Sequence, residues 1–355
     1  MSKELDPICA ERKIGPVGTL DVCSMTRDGL PKRRKVYPMH SMTMNYWRII
    51  AAEMGVNMSP GDVQNTNGSY TSRPSGTAGA NAYSIDTSVG QNRGIRLGTG
   101  STAVALTDYT LDSIIGHGTS AGQLNALETF AGATDTTLTG TRAFENLSGG
   151  TINIREIGLM AYRSGNNSTI MLARDVLPEN FPVENNEVVT ATITMFVGEG
   201  NRNMHRMFPA MLSGSSWAST FYNREGGTNS EYASLRNTVT SSGSNRNIVL
   251  GTGNAALDFE GINLDAPLLH GSDSNQLLYG ATTAGSLTLT STYIAWEVQR
   301  TVLNSSGQTY NITEMALFTS GSDVYMLDRF LLPSAIPIAD GQNRQLRWRF
   351  LYSIA

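Results

Sequence analysis

The chain has little charge for its length. Of its 355 residues, 16% are Asp, Glu, Lys or Arg, below the roughly 25% of an average soluble protein. The net charge of −4 gives no overall attraction to nucleic acid or to acidic membranes. Apolar residues still make up 40%, and disordered chains usually combine few apolar residues with a high net charge. The composition therefore predicts a folded protein whose neutral surface is partly covered by neighbours.

Cysteine is scarce and long apolar runs are absent. Cys9 and Cys23 are the only two cysteines, and a single widely spaced pair is a poor zinc signature, so reduced thiols are favoured. No run of 18 apolar residues occurs, and the first six residues lack the basic and apolar regions of a signal peptide. We expect a protein that is made in the cytosol and has no membrane segment.

Arrangements typical of an active site are also missing. The four histidines show no metal-ligand spacing, and there is no G-x-S-x-G motif. Gly98-Thr99-Gly100 could begin a phosphate-binding loop, but G-x-G-x-x-G is not completed and the P-loop lysine is missing. Glycines with positive φ, where a strand enters a turn, explain the run better. We expect no enzymatic activity, no cofactor and no metal.

What the sequence does contain is an internal repeat. Three blocks of residues in the first half return in the same order in the second: 93–100 as 246–253, 146–159 as 304–317, and 172–182 as 327–337. The spacing between blocks changes by a few residues, as surface loops tolerate. The repeat predicts a tandem duplication, with an N-terminal arm (1–37), a first module (38–197), and a linker with a second module (198–355).

The fold predicted for each module is an antiparallel β-sandwich, which makes the protein all-β. Short apolar alternations separated by Gly, Ser, Thr and Asn indicate strands joined by turns. In residues 152–159 and 310–317 the alternation slips by one position, which predicts a β-bulge near Glu156 and near Glu314. Apolar residues at spacings of three and four, preceded by Ser41, predict a short helix over residues 41–54, before the first module.

Charged residues recur at matching places in the two copies. They are Glu156, Arg142 and Arg174 in the first copy, and Glu314, Arg300 and Arg329 in the second. One carboxylate and two guanidiniums per module could bind a ligand or could pair internally. We favour structural ties between neighbouring strands, because duplicated Arg-carboxylate pairs serve folding more often than duplicated catalytic centres.

Contacts with partners are expected at two further places. Lys32, Arg33, Arg34 and Lys35 form a basic run in the predicted arm. So short a run is more often a solvated strip, or the complement of an acidic patch on a partner protein, than a nucleic-acid site. Trp47 lies on the apolar stripe of the predicted helix, which would dock on a sandwich edge or on another subunit.

The chain resembles a module found among virion structural proteins of tailed bacteriophages. The resemblance rests on Ser41, Asn45 and Trp47 in the helix, the repeated G-T-G, the Leu-Asp steps at residues 111–112 and 264–265, the motif at 146–159 and 304–317, and Met-Leu-x-Arg at 171–174 and 326–329. It covers both repeats. Such proteins build necks, collars, tails, fibre-attachment points and capsid decorations. The resemblance implies a location in the virion, after assembly in the host cytoplasm.

The function that we expect is therefore structural. Copies of the chain would form a homo-oligomeric ring or adaptor that contacts other virion proteins, and a ring of n chains would present 2n similar modules. Nucleic acid is an unlikely partner and a membrane is not expected. Two alternatives stay open: a capsid decoration protein, and a tail-associated receptor that binds host glycans through Trp217, Tyr222 and Tyr232.

Overall fold

The fold is all-β, as predicted. A computed structural model describes residues 6–13, 18–39, 41–53, 63–71, 93–133, 137–163, 168–196, 221–222, 228–229, 246–258, 261, 263–285, 287–290, 293–318 and 324–353. Strands make up 63% of the structure, and a single helix lies within the described ranges. Sheets rather than helices therefore build the core.

The described part of residues 6–196, called here the first half, contains twelve strands and one helix. They are β1 (Ile8–Lys13), β2 (Gly18–Thr26), β3 (Pro31–Pro38), α1 (Met44–Glu53), β4 (Val63–Gln64), β5 (Tyr70–Thr71), β6 (Gly94–Gly98), β7 (Gly116–His117), β8 (Gln123–Ala133), β9 (Thr137–Glu145), β10 (Ile152–Arg163), β11 (Ser168–Val183) and β12 (Glu187–Phe196).

The remaining ten strands follow. They are β13 (Phe221–Tyr222), β14 (Thr228–Asn229), β15 (Asn247–Gly251), β16 (Leu269–His270), β17 (Gln276–Ala284), β18 (Thr288–Leu289), β19 (Tyr293–Leu303), β20 (Tyr310–Phe318), β21 (Met326–Ile338) and β22 (Asn343–Ser353). Residues 246–353 are called here the second half.

The strand order of the first half recurs in the second. One six-stranded sheet has the order β3-β2-β12-β9-β8-β7, and the other has β1-β22-β19-β17-β16, with β18 also paired to β19. Two three-stranded sheets have the orders β11-β10-β6 and β21-β20-β15. Each half thus combines one large and one small sheet.

Alternating side chains explain why the long strands form. In β12, Val189, Ala191 and Ile193 are buried, whereas the threonines between them are half-buried. β22 repeats the pattern, with Trp348 and Phe350 fully buried between partly exposed residues. Period-two burial of this kind gives each strand one face in the core and one face outward.

The N-terminal segment is not the free arm predicted from its sequence. β1 pairs with β22 in the parallel direction, β2 pairs antiparallel with β12, and β3 pairs antiparallel with β2. Strands need a backbone partner for their N–H and C=O groups, and the open sides of β12 and β22 supply one. Sequence periodicity could not show this, because β22 and β12, which pair with β1 and β2, lie more than 150 residues away. The boundary predicted at residues 197 and 198 lies outside the described residues.

The predicted helix is present as α1, and Trp47 on it is buried inside the chain. Its side chain is 1% exposed. Its ring stacks on Tyr352 with centroids 4.1 Å apart, and lies 6.3 Å from Trp296. On its other side the helix is held to β11, since the hydroxyl of Thr43 and the amide of Asn45 donate to the Met171 carbonyl. Trp47 therefore joins the two halves of one chain.

The register irregularities predicted at Glu156 and Glu314 are confirmed in position. Ile154 pairs with Phe181, but Glu156 pairs with Val176, so residues 177–180 of β11 face only residue 155 of β10. The same step occurs between β20 and β21 at Glu314. The prediction of an extra residue in β10 and β20 was wrong, because the extra residues lie on the partner strands, each of which carries a Leu-Pro pair there.

Candidate functional site

Glu156 is the centre of the best-defined polar site in the first half. Its carboxylate is fully buried and accepts hydrogen bonds from the backbone amides of Gly100 (3.1 Å), Asp112 (3.0 Å) and Ser113 (2.6 Å). The fourth donor is Nε of Arg174, at 2.9 Å. The predicted tie between these two side chains is thus formed, and the carboxylate also holds both ends of the connection between β6 and β7. We call this group of five residues the Glu156 cluster.

Arg174 extends the Glu156 cluster toward the surface. Its Nη1 donates to Asp108 at 2.7 Å and its Nη2 donates to the Thr102 carbonyl at 3.1 Å. Burial by itself lowers the pKa of Arg174, but hydrogen bonds to Asp108 and Glu156 outweigh it and raise the pKa from the ordinary value. The arginine is therefore held in its charged form. Asp108 was missed from sequence, because it has no counterpart in the second copy.

Glu314 occupies the same position in the second half. Its buried carboxylate accepts from the amides of Gly253 (3.2 Å), Asp265 (3.2 Å) and Ala266 (2.9 Å), and from Nε of Arg329 (2.7 Å). We call these five residues the Glu314 cluster. The remaining nitrogens of Arg329 donate to the carbonyls of residues 255 and 256, at 3.0 and 3.3 Å. The connection between β15 and β16 is thus anchored in the same way as that between β6 and β7.

The repeated G-T-G run belongs to these clusters, and the reason predicted for its glycines was wrong. The described glycines with positive φ do not include Gly98, Gly100, Gly251 or Gly253. The constraint is space: a Cβ on Gly98 would lie 2.6 Å from Cγ of Glu156 and 2.7 Å from the Ser113 carbonyl. Only glycine lets the strand approach the buried carboxylate so closely.

Arg142 and Arg300 form a different pair of ties. Nη1 of Arg142 donates to the carbonyls of Arg93 (2.6 Å) and Ile95 (3.2 Å), so it holds the start of β6 to β9. Arg300 holds the start of β15 in the same way, with Ile248 at 3.1 Å, and its Nε donates to Gly280 at 2.9 Å. Burial lowers the pKa of Arg300 to about 10. These arginines therefore bind backbone carbonyls, at a site separate from the glutamate clusters.

Asn146 and Asn304 were treated only as landmarks of the repeat, yet each organises a turn. The Asn146 amide donates to the carbonyls of Gly150 (2.8 Å) and Val183 (2.7 Å). The Asn304 amide donates to the carbonyls of Gln308 and Ile338, at 2.6 and 2.8 Å. A signal was available in the sequence, since Asn followed by Ser and Gly is typical of turns in which the side chain bonds the local backbone.

The basic run lies on the edge strand β3, and its charges meet carboxylates of the same chain. Lys32 and Arg33 contact Glu184 at 3.0 and 3.3 Å. Arg34 contacts Asp21 at 2.6 Å, and Lys35 contacts Glu179 at 2.9 Å. The acidic patch expected on a partner is therefore supplied by β2, β11 and the turn after β11. Lysines and flanking prolines on an edge strand also discourage pairing with other strands.

Of the three aromatic residues considered for glycan binding, only Tyr222 lies within the described residues. Trp217 and Tyr232 lie outside the described residues. Tyr222 lies in β13, which pairs only with β14 among the described strands.

Neither a metal-binding group nor a membrane-spanning helix is found among the described residues. Across the part of the chain that the structure describes, no group of three or more His, Cys, Asp or Glu side chains could hold a metal ion. Over the same residues, no helix is long and apolar enough to cross a membrane.

Comparison of the chain with protein-family models, with curated proteins and with solved structures found no match. The chemistry of the glutamate clusters must therefore be interpreted from their geometry. Each carboxylate accepts four hydrogen bonds from its own chain, from three backbone amides and one guanidinium. An ionised carboxylate offers about four acceptor positions. These bonds hold the connecting segments in place and occupy both oxygens of each carboxylate.

Proposed function

We propose that the chain is a structural subunit of a tailed-bacteriophage virion and is not an enzyme. The observation that carries the proposal is the use of the repeated buried charges. Glu156 and Glu314 each bind both ends of one strand connection and an arginine of the same chain. Buried, fully bonded carboxylates of this kind rigidify a fold, and a rigid surface suits an assembly subunit that acts through protein contacts.

We further propose that the chain consists of two tandem antiparallel β-sandwich modules related by internal duplication. The matching orders of the two large sheets and of the two small sheets support this. The equivalent contacts of the two glutamate clusters support it as well. A ring of such chains would have twice as many similar modules as chains, so that six chains could meet a twelvefold surface. Such a ring or adaptor would belong to the neck, tail or fibre-attachment region.

Mass measurement of the purified chain tests the assembly role. We expect a homo-oligomer by light scattering at high protein concentration, and closed rings in negative-stain electron micrographs. A single-chain mass over the whole concentration range, together with the absence of rings in the micrographs, would contradict the proposal. Density for the chain on the capsid surface of a virion reconstruction would instead support the capsid decoration alternative.

A further inference from the structure

Each large sheet takes up one strand of the N-terminal segment: β2 lies beside β12, and β1 lies beside β22. β2 pairs with β12 from Gly18 opposite Met195 to Thr26 opposite Glu187, and is covered on its other side by β3. β1 pairs with β22 over residues 8–13 only, and forms the edge of its sheet. The first sheet is therefore closed by a hairpin, whereas the second is closed by one short strand.

The described side chains of β1 add few contacts to its backbone pairing with β22. Two of its side chains, Ile8 and Ala10, are buried, and Cys9 is exposed. Glu11 meets Arg349 at 3.3 Å, and both of these side chains are about two-fifths exposed. To the backbone pairing with β22, the described side chains of the strand thus add one buried isoleucine, one buried alanine and one ion pair. When the strand leaves its sheet, the core loses only the Ile8 and Ala10 side chains among those described, and β1 of another copy would put the same two side chains back.

The position that receives β1 does not depend on β1 for its own structure. On its other side β22 pairs with β19 along its whole length, from residue 343 to residue 353. Three side chains of β22 itself are fully buried in the core, those of Leu346, Trp348 and Phe350. The edge of β22 therefore stays in place when β1 is absent, and its free N–H and C=O groups would be open to another strand.

We propose that β22 is a strand-exchange site for a second copy of this chain, in which β1 of one copy pairs with β22 of the next. The exchanged pairing has the same register and the same side-chain contacts as the pairing within one chain, so it needs no new chemistry. Donor and acceptor are different surfaces, so each copy gives one strand and receives one. Repeated contacts of this kind form a closed ring when the rotation that relates neighbouring copies adds up to one full turn. This inference rests on the proposed assembly role and names the contact that produces it.

A native thiol makes the exchange measurable. Cys9 lies opposite Arg347 in the register of β1 and β22, and facing positions on neighbouring strands are within the Cα separation that a disulfide spans. One variant, Cys23→Ser, keeps only the thiol on β1. A second, differently tagged variant carries Cys9→Ser, Cys23→Ser and Arg347→Cys, so that its only thiol is on β22. The two are unfolded together, refolded as a mixture and oxidised with diamide.

We expect a disulfide-linked species that contains both tags and has twice the mass of the chain. A matched control replaces Arg347→Cys by Leu351→Cys, which lies on the same strand opposite Lys13. Its thiol is out of register with Cys9, so linkage should be lost. In a third variant, with Cys23→Ser and Arg347→Cys in a chain that keeps Cys9, the thiols should join within a chain or between chains.

The possible results separate this inference from the proposed function. Oligomers that form without any link between the two tags, while the two-thiol chain closes on itself, would overturn strand exchange and leave the assembly role intact. Single chains without linkage would overturn both. Failure of the two-thiol chain to form any disulfide would contradict the register of β1 on β22, and the exchange with it.

Discussion

The Glu156 and Glu314 clusters solve the same structural problem with different surroundings. In both, a buried carboxylate binds three amides and the Nε of an arginine. The outer nitrogens of Arg174 reach Asp108 and a carbonyl, whereas those of Arg329 reach two carbonyls. The comparison indicates that the glutamate and its loops are the constant part, and that the charge balance around the arginine is free to differ.

The largest effect expected comes from neutralising the glutamates. Glu314→Gln leaves the mostly buried Arg329 without its carboxylate in the cluster, which should lower the free energy of unfolding by about 3–5 kcal/mol. Glu156→Gln makes the same change in the first half, where Arg174 keeps its contact with Asp108 at 2.7 Å. Denaturant unfolding at one fixed protein concentration measures both changes. Hydrogen exchange at residues 98–100 and 251–253 should show which loop is released.

A double variant sharpens the comparison. Asp108→Asn added to Glu156→Gln removes both carboxylates that contact Arg174 and should enlarge the loss caused by Glu156→Gln alone. Asp108→Asn alone should cost only about 1 kcal/mol, since Glu156 still neutralises the arginine. Equal losses for Glu156→Gln and for the double variant would show that Asp108 does not compensate for the missing glutamate.

An intermediate effect is expected from the glycines. Gly98→Ala and Gly251→Ala each place a methyl group against the cluster carboxylate and a carbonyl oxygen, and overpacking of this kind costs about 1–3 kcal/mol. The two losses should be similar, because the close contacts are similar in both halves. Gly150→Ala is the matched control: nothing lies within 4 Å of its added Cβ, so its melting temperature should hardly change. A tolerated Gly98→Ala would refute the steric explanation.

The smallest effect is expected in the pH dependence of stability. It concerns only the first half, which carries the basic run. Hydrogen bonds from Lys32 and then Arg33 lower the pKa of Glu184, and Lys35 lowers that of Glu179. Because these folded-state pKa values lie below the unfolded value of about 4.3, the ion pairs stabilise the fold above that pH. Their contribution is lost as the pH falls through the folded pKa values.

Melting curves between pH 3 and pH 7 test this expectation. The double variant Glu179→Gln and Glu184→Gln should melt slightly below the wild type at pH 7, and the difference should shrink toward pH 3. Ser274→Ala, at an exposed turn of the second half, removes no titratable group, so it serves as the control and should show no such trend. A difference that stays constant over the whole pH range would mean that the ion pairs contribute nothing measurable.

Local patterns accounted for much of the secondary structure and part of the site. Alternation predicted β12 and β22, the three-and-four spacing predicted α1, and the slipped alternation located the irregularities at Glu156 and Glu314. The recurrence of Glu156 with Arg174, and of Glu314 with Arg329, singled out side chains that do meet. Each of these signals depends on the backbone period of a single segment, which is present in the residues themselves.

Other features could not be obtained in this way. Local patterns were enough to predict an all-β chain, the alternation of its strands and the recurring charged residues. They could not predict that β1, β2 and β3 join the two large sheets, that Trp47 lies between the halves, or that the glycines of G-T-G make room for a carboxylate. These features depend on distance along the chain. Strand partners, stacked rings and close approaches depend on residues far apart in sequence, and no local period encodes them.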